Sequence, residues 1–397
     1  MRRMKISRLG GLSIVLAVAL TGATASVAGA SSAKGPTSLS AMSFTNNFSV
    51  MKKLKSLAEA GKGKVAAILP DTVSSTRYVE SDAPDITKAL RAAGLKSSQY
   101  VVQNALGSDV TELMDAKTDI TRGATVLLID PLNSGVGVSI ESYAKAHGVD
   151  VVDYDRLTFG GSREYYVSFN NLAVGKLIGQ GLVSCVAEWH VSKPQVVVMH
   201  GAATDNKATL FARGYDAVID PLFHNGSWVD VANTADTSDP PTAESEFQEA
   251  YTAHPNINAA LIPNDETGAP IIKYLKTLHL APRTFPTTGQ DATLAGLDNV
   301  LAGYQCGTVY KPIYLEAEAA SALALYLRAG QKPPSNLVNG TTADTSTGTA
   351  VKSVLLEPEW VTAANIAKTI IKDNFVPASK LCAGSFASDC TTAGITP

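Results

Sequence analysis

The chain has 397 residues, of which 45% are hydrophobic and 17% charged, and its formal net charge is -3 at pH 7. This length exceeds what one ordinary hydrophobic core serves, so it predicts two lobes of α/β size. The small negative charge excludes a polycationic surface, and we therefore expect no nucleic-acid partner and no binding to an acidic membrane surface.

Residues 1–30 have the pattern of a secretory signal peptide. Basic residues within positions 2–8 precede an apolar run over residues 12–20, and Ala28-Gly-Ala30 is a cleavage site of small residues. The apolar run is shorter than the roughly 20 residues that a membrane span needs. We therefore predict cleavage near Ala30 and an extracytoplasmic mature protein, in the periplasm, secreted or associated with the cell surface.

Strand-like and helix-like segments alternate in the first half of the mature chain. Residues 31–48 are rich in Ser, Thr and Ala and predict a flexible leader, which a short helix over residues 50–60 follows. Strands are predicted at residues 64–70, 100–103 and 124–131 and from Val151 onward; helices are predicted up to Gly94 and at residues 109–121 and 138–147. This alternation predicts a parallel sheet with right-handed crossovers.

The same alternation runs a second time. It predicts helices at residues 172–189, 204–223, 244–253 and 268–278, and strands at residues 195–201, 228–231, 259–263 and 285–289. Two similar halves predict an α/β protein with two Rossmann-like lobes and a cleft between them.

Acids, amides and one base collect where the predicted strands end. They are Asp155 with Arg156, Asn206, Asn264 with Asp265, and Gln290 with Asp291. A helix cap or a surface ion pair explains any one of these pairs. Four such strand ends favour a ligand site, because open α/β sheets bind ligands at the carboxyl ends of their strands.

These residue types suit a neutral polyol. Carboxylates accept hydrogen bonds, guanidinium groups donate them and amides do both, so together they match vicinal hydroxyls. The ring of Tyr78 is a candidate for the apolar face of a sugar. Gly135-Val-Gly137 lacks the third glycine of a nucleotide loop. No G-x-S-x-G elbow and no His-x-x-His or Cys-x-x-Cys cluster is present in the sequence. We therefore expect no cofactor, no metal and no catalytic turnover.

The four cysteines are compatible with disulfides in an exported protein. Cys382 and Cys390 are eight positions apart, a spacing that closes a small loop, and we predict that they are bonded to each other. Cys185 and Cys306 are then the remaining pair. The sequence leaves open the other connectivities, as well as buried free thiols at Cys185 and Cys306.

Several segments resemble the periplasmic type I sugar-binding proteins of ABC importers, and most closely the xylose-binding branch. The resemblance covers residues 64–372. The segments that carry it are Tyr154-Asp-Arg156, residues 166–171, Asp205-Asn206-Lys-Ala-x-Leu-Phe, Asn264-Asp265, residues 289–296 and Thr308-Val-Tyr-Lys-Pro312.

The resemblance implies a receptor that closes on a monosaccharide, such as a pentose, and presents it to an ABC permease. It implies that the pocket is lined by Arg77, Asp155, Arg156, Asn206, Asp265, Asp291 and Lys311. Asn264 is expected to lie next to these residues. The resemblance also implies a three-segment hinge, and we expect the mature protein to be a monomer. Residues 63–155 and 312–347 would form the N-terminal lobe, after a leader and short helix at residues 31–62. Residues 156–311 and 348–397 would form the C-terminal lobe, a layout that supports pairing Cys185 with Cys306.

Two other functions fit part of this pattern. One is a cytosolic sugar-sensing repressor of the same fold, against which the predicted signal peptide and the absence of an N-terminal DNA-binding module argue. The other is a secreted carbohydrate-active enzyme. Release of reducing sugar from xylosides or oligosaccharides distinguishes the enzyme from a receptor.

Overall fold

A computed structural model of the chain describes residues 34–203, 205–234 and 237–396. The predicted signal peptide lies outside the described residues. Among the described residues, no helix has the length and hydropathy needed to cross a membrane. The same ranges contain no group of three or more His, Cys, Asp or Glu side chains arranged to hold a metal ion.

Twelve strands and twelve α-helices are found in the described part of the chain. The strands are β1 (Lys64–Leu69), β2 (Tyr100–Asn104), β3 (Ala124–Ile129), β4 (Asp150–Tyr154), β5 (Tyr165–Phe169), β6 (Gln195–Val198), β7 (Val229–Asn233), β8 (Ala259–Leu261), β9 (Thr308–Tyr310), β10 (Gly340–Asp344), β11 (Thr349–Leu356) and β12 (Glu359–Val361). The helices are α1 (Lys55–Ala60), α2 (Ala83–Ala92), α3 (Asp109–Thr121), α4 (Ser134–Ala146), α5 (Asn171–Glu188), α6 (Asn206–His224), α7 (Pro240–Ala253), α8 (Asp265–Thr277), α9 (Leu294–Leu301), α10 (Ile313–Arg328), α11 (Ala378–Leu381) and α12 (Ala387–Thr392). The predicted α/β class is confirmed.

The larger sheet has seven strands in the order β10-β11-β5-β4-β3-β1-β2. Neighbouring strands are parallel except for β10 and β11. Along β1, Val65, Ala67 and Leu69 belong to one hydrophobic cluster and Ala66 and Ile68 to another. This alternation shows that both faces of the sheet are buried, as expected of parallel strands between helical layers.

The second sheet is smaller, with β7-β6-β8 as its parallel strands. Single bridges then continue the pairing, from Ala260 to Thr287 and from Gln290 to Val309. Strand β9, which contains Val309, pairs antiparallel with β12. These strands bring the segments after β8 and β9 to one end of the sheet.

The strand predicted at residues 285–289 is reduced to one bridge at Thr287. Pro286 has no N–H to donate, and only its carbonyl takes part, as the acceptor of the Ala260 N–H at 2.9 Å. The segment therefore runs along the sheet without forming a continuous ladder.

The prediction of a flexible leader is wrong for the described residues 34–48. Leu39, Phe44 and Phe48 are each at most 4% exposed and belong to the main hydrophobic cluster. The Tyr326 hydroxyl on α10 donates to the Pro36 carbonyl at 2.7 Å. The abundance of Ser and Thr in this segment concealed a few apolar residues that cover α10.

Strands β5 and β11 are neighbours in the larger sheet, although β11 lies far along the chain from β5. Strand β5 pairs with β4 and, on its other side, with β11. Both β5 and β11 therefore extend the sheet that β1 to β4 begin. The lobe boundaries expected from the sequence stay a prediction.

Two disulfides account for all four cysteines. Cys185 on α5 is bonded to Cys306, just before β9, with their Cα atoms 5.8 Å apart. Cys382 is bonded to Cys390 with a Cα–Cα distance of 5.7 Å. The second disulfide closes a loop in the C-terminal segment, which packs on α9 and β9 in a separate hydrophobic cluster.

Candidate ligand-binding site

A cavity lies where the carboxyl ends of the strands of the two main sheets meet. The cavity is partly open to solvent. Such strand ends are the usual ligand sites of open α/β sheets. Phe211 is among the lining residues, and the polar ones are Ser74, Ser75, Tyr78, Arg156, Asp205, Lys207, Thr237, Ser238, Asn264, Thr267, Gln290 and Asp291.

A turn at the end of β4 separates two charged side chains. Asp155 has a φ of 57°, a left-handed conformation that costs a non-glycine residue on the order of 1 kcal/mol. The hydroxyls of Tyr166 and Ser168 both donate to the Asp155 carbonyl, at 2.8 and 3.1 Å, and hold this turn. Arg156 consequently lines the cavity, whereas Asp155 is fully buried behind it.

The guanidinium of Arg156 is only partly satisfied. It donates to the hydroxyls of Ser74 and Tyr78, both at 3.1 Å. Its Nε has no hydrogen-bond partner among the described residues. Three carboxylates approach to 3.6–3.8 Å, too far for good hydrogen bonds: those of Asp71, Asp130 and Asp205.

Asp130 follows β3 and is a buried acid beside this guanidinium. It is fully buried, and neither of its carboxyl oxygens has a hydrogen-bond partner in the described part of the chain. Burial, with the neighbouring Asp155 carboxylate, raises the pKa of Asp130 well above its ordinary value. This shift favours the protonated form of Asp130, the form that can donate as well as accept.

The Asp155 carboxylate is surrounded by donors. It accepts from Arg77 at 3.0 Å, from the Tyr78 hydroxyl at 3.1 Å and from Lys207, and Lys311 Nζ lies 4.0 Å away. Burial alone would raise the pKa of Asp155, but the charges of Arg77, Lys207 and Lys311 hold it well below its ordinary value. Asp155 is therefore ionised and fully committed to protein partners.

Arg77 lies behind the cavity rather than in its lining. Its side chain is 2% exposed and donates four hydrogen bonds, two to Asp82, one to Asp155 and one to Glu316. Burial raises the pKa of Glu316 to about 8, so this carboxyl is largely protonated at pH 7. The arrangement makes Arg77 the centre of a buried network that supports the cavity floor.

Asp291 and Lys311 form the corresponding pair on the second sheet. Lys311 Nζ lies 3.0 Å from Asp291 Oδ1, while Asp291 Oδ2 accepts from Ser75 at 3.0 Å and from Asn264 at 3.3 Å. Burial opposes ionisation of Asp291, but the positive charges of Lys311 and Arg77 lower its pKa. Asp291 and Asn264 line the cavity, and Lys311 lies behind them.

Two amides next to the cavity have donors to spare. Asn206 is the first residue of α6 and is 3% exposed; its Nδ2 has no hydrogen-bond partner among the residues described. Gln290 lines the cavity, and its Nε2 is likewise without a partner in the described ranges. Unpaired buried donors of this kind cost about 1–3 kcal/mol each unless something accepts from them.

Asp265 does not line the cavity. Its carboxylate accepts from the Thr293 N–H at 2.9 Å, from Gln305 at 2.8 Å and from Thr308 at 3.0 Å. A Cβ on Gly289 or on Gly296 would run into this carboxylate. The two glycines that bound the 289–296 motif therefore make room for Asp265, which ties the start of α8 to the segment before α9 and to the entry into β9.

The ring of Tyr78 is not presented as an open stacking face. Tyr78 is 1% exposed, and the charged ends of Arg77, Arg156 and Lys207 lie 5.5–5.8 Å from its ring centroid. Its hydroxyl, by contrast, accepts from Arg156 and Lys207 and donates to Asp155. Phe211 on α6 is the other aromatic residue of the cavity lining.

The sequence-predicted site residues thus fall into three groups. Tyr78, Arg156, Asn264 and Asp291 line the cavity; Arg77, Asp155, Lys311 and Asn206 adjoin it; and Asp265 lies apart. Sequence analysis missed Ser74, Ser75, Lys207, Phe211 and Thr267 as lining residues. Lys207 and Phe211 belong to the Asp205–Phe211 segment that carried the resemblance, which was the available signal for them.

Comparison with known proteins places this architecture in a family. A family model for the "Periplasmic binding protein domain" matches residues 66–332. The D-xylose-binding periplasmic protein of Escherichia coli K12 is 35% identical over 289 residues, which are 72% of this chain and 83% of that protein. Its counterpart in Haemophilus influenzae is 33% identical over 281 residues, 70% of this chain and 81% of that protein.

A solved structure agrees with the sequence relatives. A carbohydrate transporter solute-binding protein from Chloroflexus aurantiacus, in complex with D-glucose, superimposes with a TM-score of 0.70 at 26% identity. The match covers 80% of this chain and 97% of that protein. The sugars named for these relatives differ, xylose in two and glucose in the third.

Proposed function

The chain belongs to the type I periplasmic sugar-binding proteins of ABC importers, and on that basis we propose that it captures a pentose, with xylose as the first candidate, and delivers it to an ABC permease. The family consists of solute-binding proteins and not of enzymes, so the chain is a binding protein. The pentose rests on the two xylose-binding relatives, at 35% and 33% identity.

The observation that carries this proposal is the set of unsatisfied polar groups around the cavity. Three donors have no hydrogen-bond partner among the described residues: Arg156 Nε, Asn206 Nδ2 and Gln290 Nε2. The two carboxyl oxygens of Asp130 also have no partner there. A sugar hydroxyl donates one hydrogen bond and accepts two, so a ring of hydroxyls satisfies such a mixture. A fully ionised phosphate only accepts, so it would satisfy the donors and leave the acceptor capacity of the Asp130 carboxyl unused.

The charge of the cavity favours a neutral ligand. Lys207 and Lys311 are each paired with a carboxylate, that of Asp155 and that of Asp291. Arg156 has the carboxylates of Asp71 and Asp205 within 4 Å. Because the cations are already balanced by acids, the cavity offers no excess charge to an anionic or a cationic solute.

We assign ligand contacts to cavity-lining residues on both sheets. Tyr78 and Arg156 reach the ligand from the larger sheet, and Asn264 and Asp291 from the smaller one, with Asn206 beside them. The two sets of residues come from different sheets, so a sugar between them favours a closed form in which both sets bind it. Arg77, Asp155 and Lys311 act from behind the cavity lining.

The location and partner follow from the same proposal. The family delivers solutes to ABC importers, and the predicted signal peptide would export the chain to the compartment where such a receptor works. We propose that the mature protein is an extracytoplasmic monomer that meets its permease at the membrane surface. Mass spectrometry of the mature N-terminus tests the cleavage near Ala30.

A thermal-shift panel of free pentoses and hexoses identifies the sugar, and calorimetric titration of that sugar then tests the site. Arg156→Ala and Asp291→Ala each remove hydrogen bonds of a charged group, worth about 1.5–3 kcal/mol, so we expect affinity to fall roughly 10- to 100-fold. Lys273→Ala, at an exposed position of α8, is the control and should bind as the parent does.

Two results would contradict the proposal. One is that no monosaccharide raises the melting temperature of the mature protein. The other is that Arg156→Ala and Asp291→Ala, shown by circular dichroism to be folded, both bind the preferred sugar as tightly as the parent.

A further inference from the structure

The two walls of the cavity are joined directly by side chains. Ser75 donates to Asp291 at 3.0 Å, and the Thr76 N–H donates to Glu266 at 3.2 Å. Both contacts connect the loop after β1, on the larger sheet, to segments that follow strands of the smaller sheet, and Glu266 is in the first turn of α8. The structure is therefore held closed by contacts that need no ligand.

Lys207 makes another buried contact between the two walls. It belongs to the first turn of α6, which follows β6 of the smaller sheet, and its ammonium bonds to the carboxylate of Asp155 at the end of β4. It also donates to the Tyr78 hydroxyl at 3.2 Å. Lys207 is 8% exposed and Asp155 is fully buried.

Two further cations face the carboxylate of Asp155. Arg77 and Lys311 also approach the carboxylate, from two other elements. Of the cations around Asp155, Lys207 is the one that lines the cavity. Opening the cleft would take its ammonium away from Asp155 and leave the carboxylate with the cations behind it.

We propose that Lys207 is a latch that holds the cleft closed in the absence of sugar, by bonding Asp155 and Tyr78 across the cavity. This inference rests on the proposed function, because it assigns Lys207 the role of positioning residue for the sugar site. Only the closed form presents both walls to a ligand. The apparent dissociation constant equals the intrinsic one divided by the closed fraction, so a latch that raises this fraction tightens binding.

Pulsed electron spin resonance between nitroxide labels measures the closed fraction directly. All four native cysteines are in disulfides, so cysteines introduced at Lys96, before β2, and at Ser245, on α7, take the labels. Both positions are exposed. Lys96 precedes a strand of the larger sheet, and α7, which carries Ser245, precedes strand β8 of the smaller sheet. The distances are recorded without sugar, for the parent and for each variant.

Lys207→Met removes the charge and keeps most of the side-chain length. We expect it to add a population at longer distance in the sugar-free protein and to weaken binding of the preferred sugar tenfold or more. Lys207→Gln should behave in the same way, and it replaces Lys207→Met in the experiment if that variant does not fold. Lys207→Arg keeps the charge and should restore the short distance, and Lys273→Met is the surface control.

Unchanged sugar-free distances in Lys207→Met and Lys207→Gln would overturn the latch, whatever happens to affinity. A longer distance with unchanged affinity would overturn its link to binding. If the parent binds no monosaccharide, the proposed function fails, and the sugar-free distances still decide whether Lys207 is a latch.

Discussion

Replacing Arg77 with methionine should cost stability, even though sequence analysis placed this residue among the ligand contacts. The substitution keeps the length of the side chain and removes four hydrogen bonds to three carboxyl groups. The consequences for the three groups differ. Glu316, with a pKa raised by burial to about 8, is mostly neutral at pH 7 and needs no cation.

The cost of this substitution falls mainly on one carboxylate. Asp155 keeps two cations, Lys207 and Lys311. Asp82 loses the cation of Arg77 and keeps the hydroxyl of Tyr154, so it is the carboxylate that bears the cost. One buried carboxylate without its cation costs about 3–5 kcal/mol. With about 2.1 cal/mol/K of unfolding entropy per residue over roughly 360 residues, this loss lowers the melting temperature by about 4–7 °C.

Arg156→Met is the matched comparison. Arg156 donates two hydrogen bonds at 3.1 Å to hydroxyl groups, and its three carboxylates are at 3.6–3.8 Å. We expect it to cost only about 1–2 kcal/mol of stability and to lose sugar affinity. Urea denaturation followed by circular dichroism, with calorimetry on the same samples, separates the two effects. If Arg77→Met is as stable as the parent, the buried network does not have the role that its geometry implies.

Two further predictions concern buried carboxyl groups away from the cavity lining. Burial raises the pKa of Glu112 to about 8, so the folded state holds a proton that the unfolded state loses near pH 4.5. The free energy of unfolding should therefore fall between about pH 4.5 and 8, by at most about 1.4 kcal/mol per pH unit. In urea titrations Glu112→Gln should flatten this fall, whereas Glu59→Gln, at an exposed position, should not. Gly296→Ala should lower the melting temperature because its Cβ meets the Asp265 carboxylate, whereas Gly268→Ala, with its nearest neighbour at 3.5 Å, should not. Equal melting temperatures for the two glycine variants would contradict the packing around Asp265.

Periodicity along the chain was sufficient for the fold class and for most elements. Strands β1, β3 and β6 are short β-branched and aliphatic runs bounded by polar residues, a local pattern that needs no partner to be recognised. Helix α4 begins four residues earlier than predicted, at Ser134, because Asn133 caps it by accepting from the Val136 N–H at 3.1 Å. The leader was misjudged because its buried apolar residues lack a regular period.

The residue types at the strand ends correctly indicated where the cavity would be, since the ends of parallel strands meet at one edge whatever the details of packing. The sequence did not reveal which of those side chains face the cavity. Asp265 and Asp291 both follow strands of the smaller sheet, yet three donors from the segment before α9 and the entry into β9 hold Asp265 away from the cavity.

The sequence by itself therefore determined the class of fold, the position of the cavity and the polar character of its lining, because these follow from local periodicity and from the kinds of residue at strand ends. Only the tertiary structure decided that Arg77 and Asp155 lie behind the lining and that Lys207 lies in it. The physical reason is that burial and pairing of a charge depend on groups far apart in the chain: Asp155 is bonded to Arg77 from 78 positions away and to Lys207 from 52.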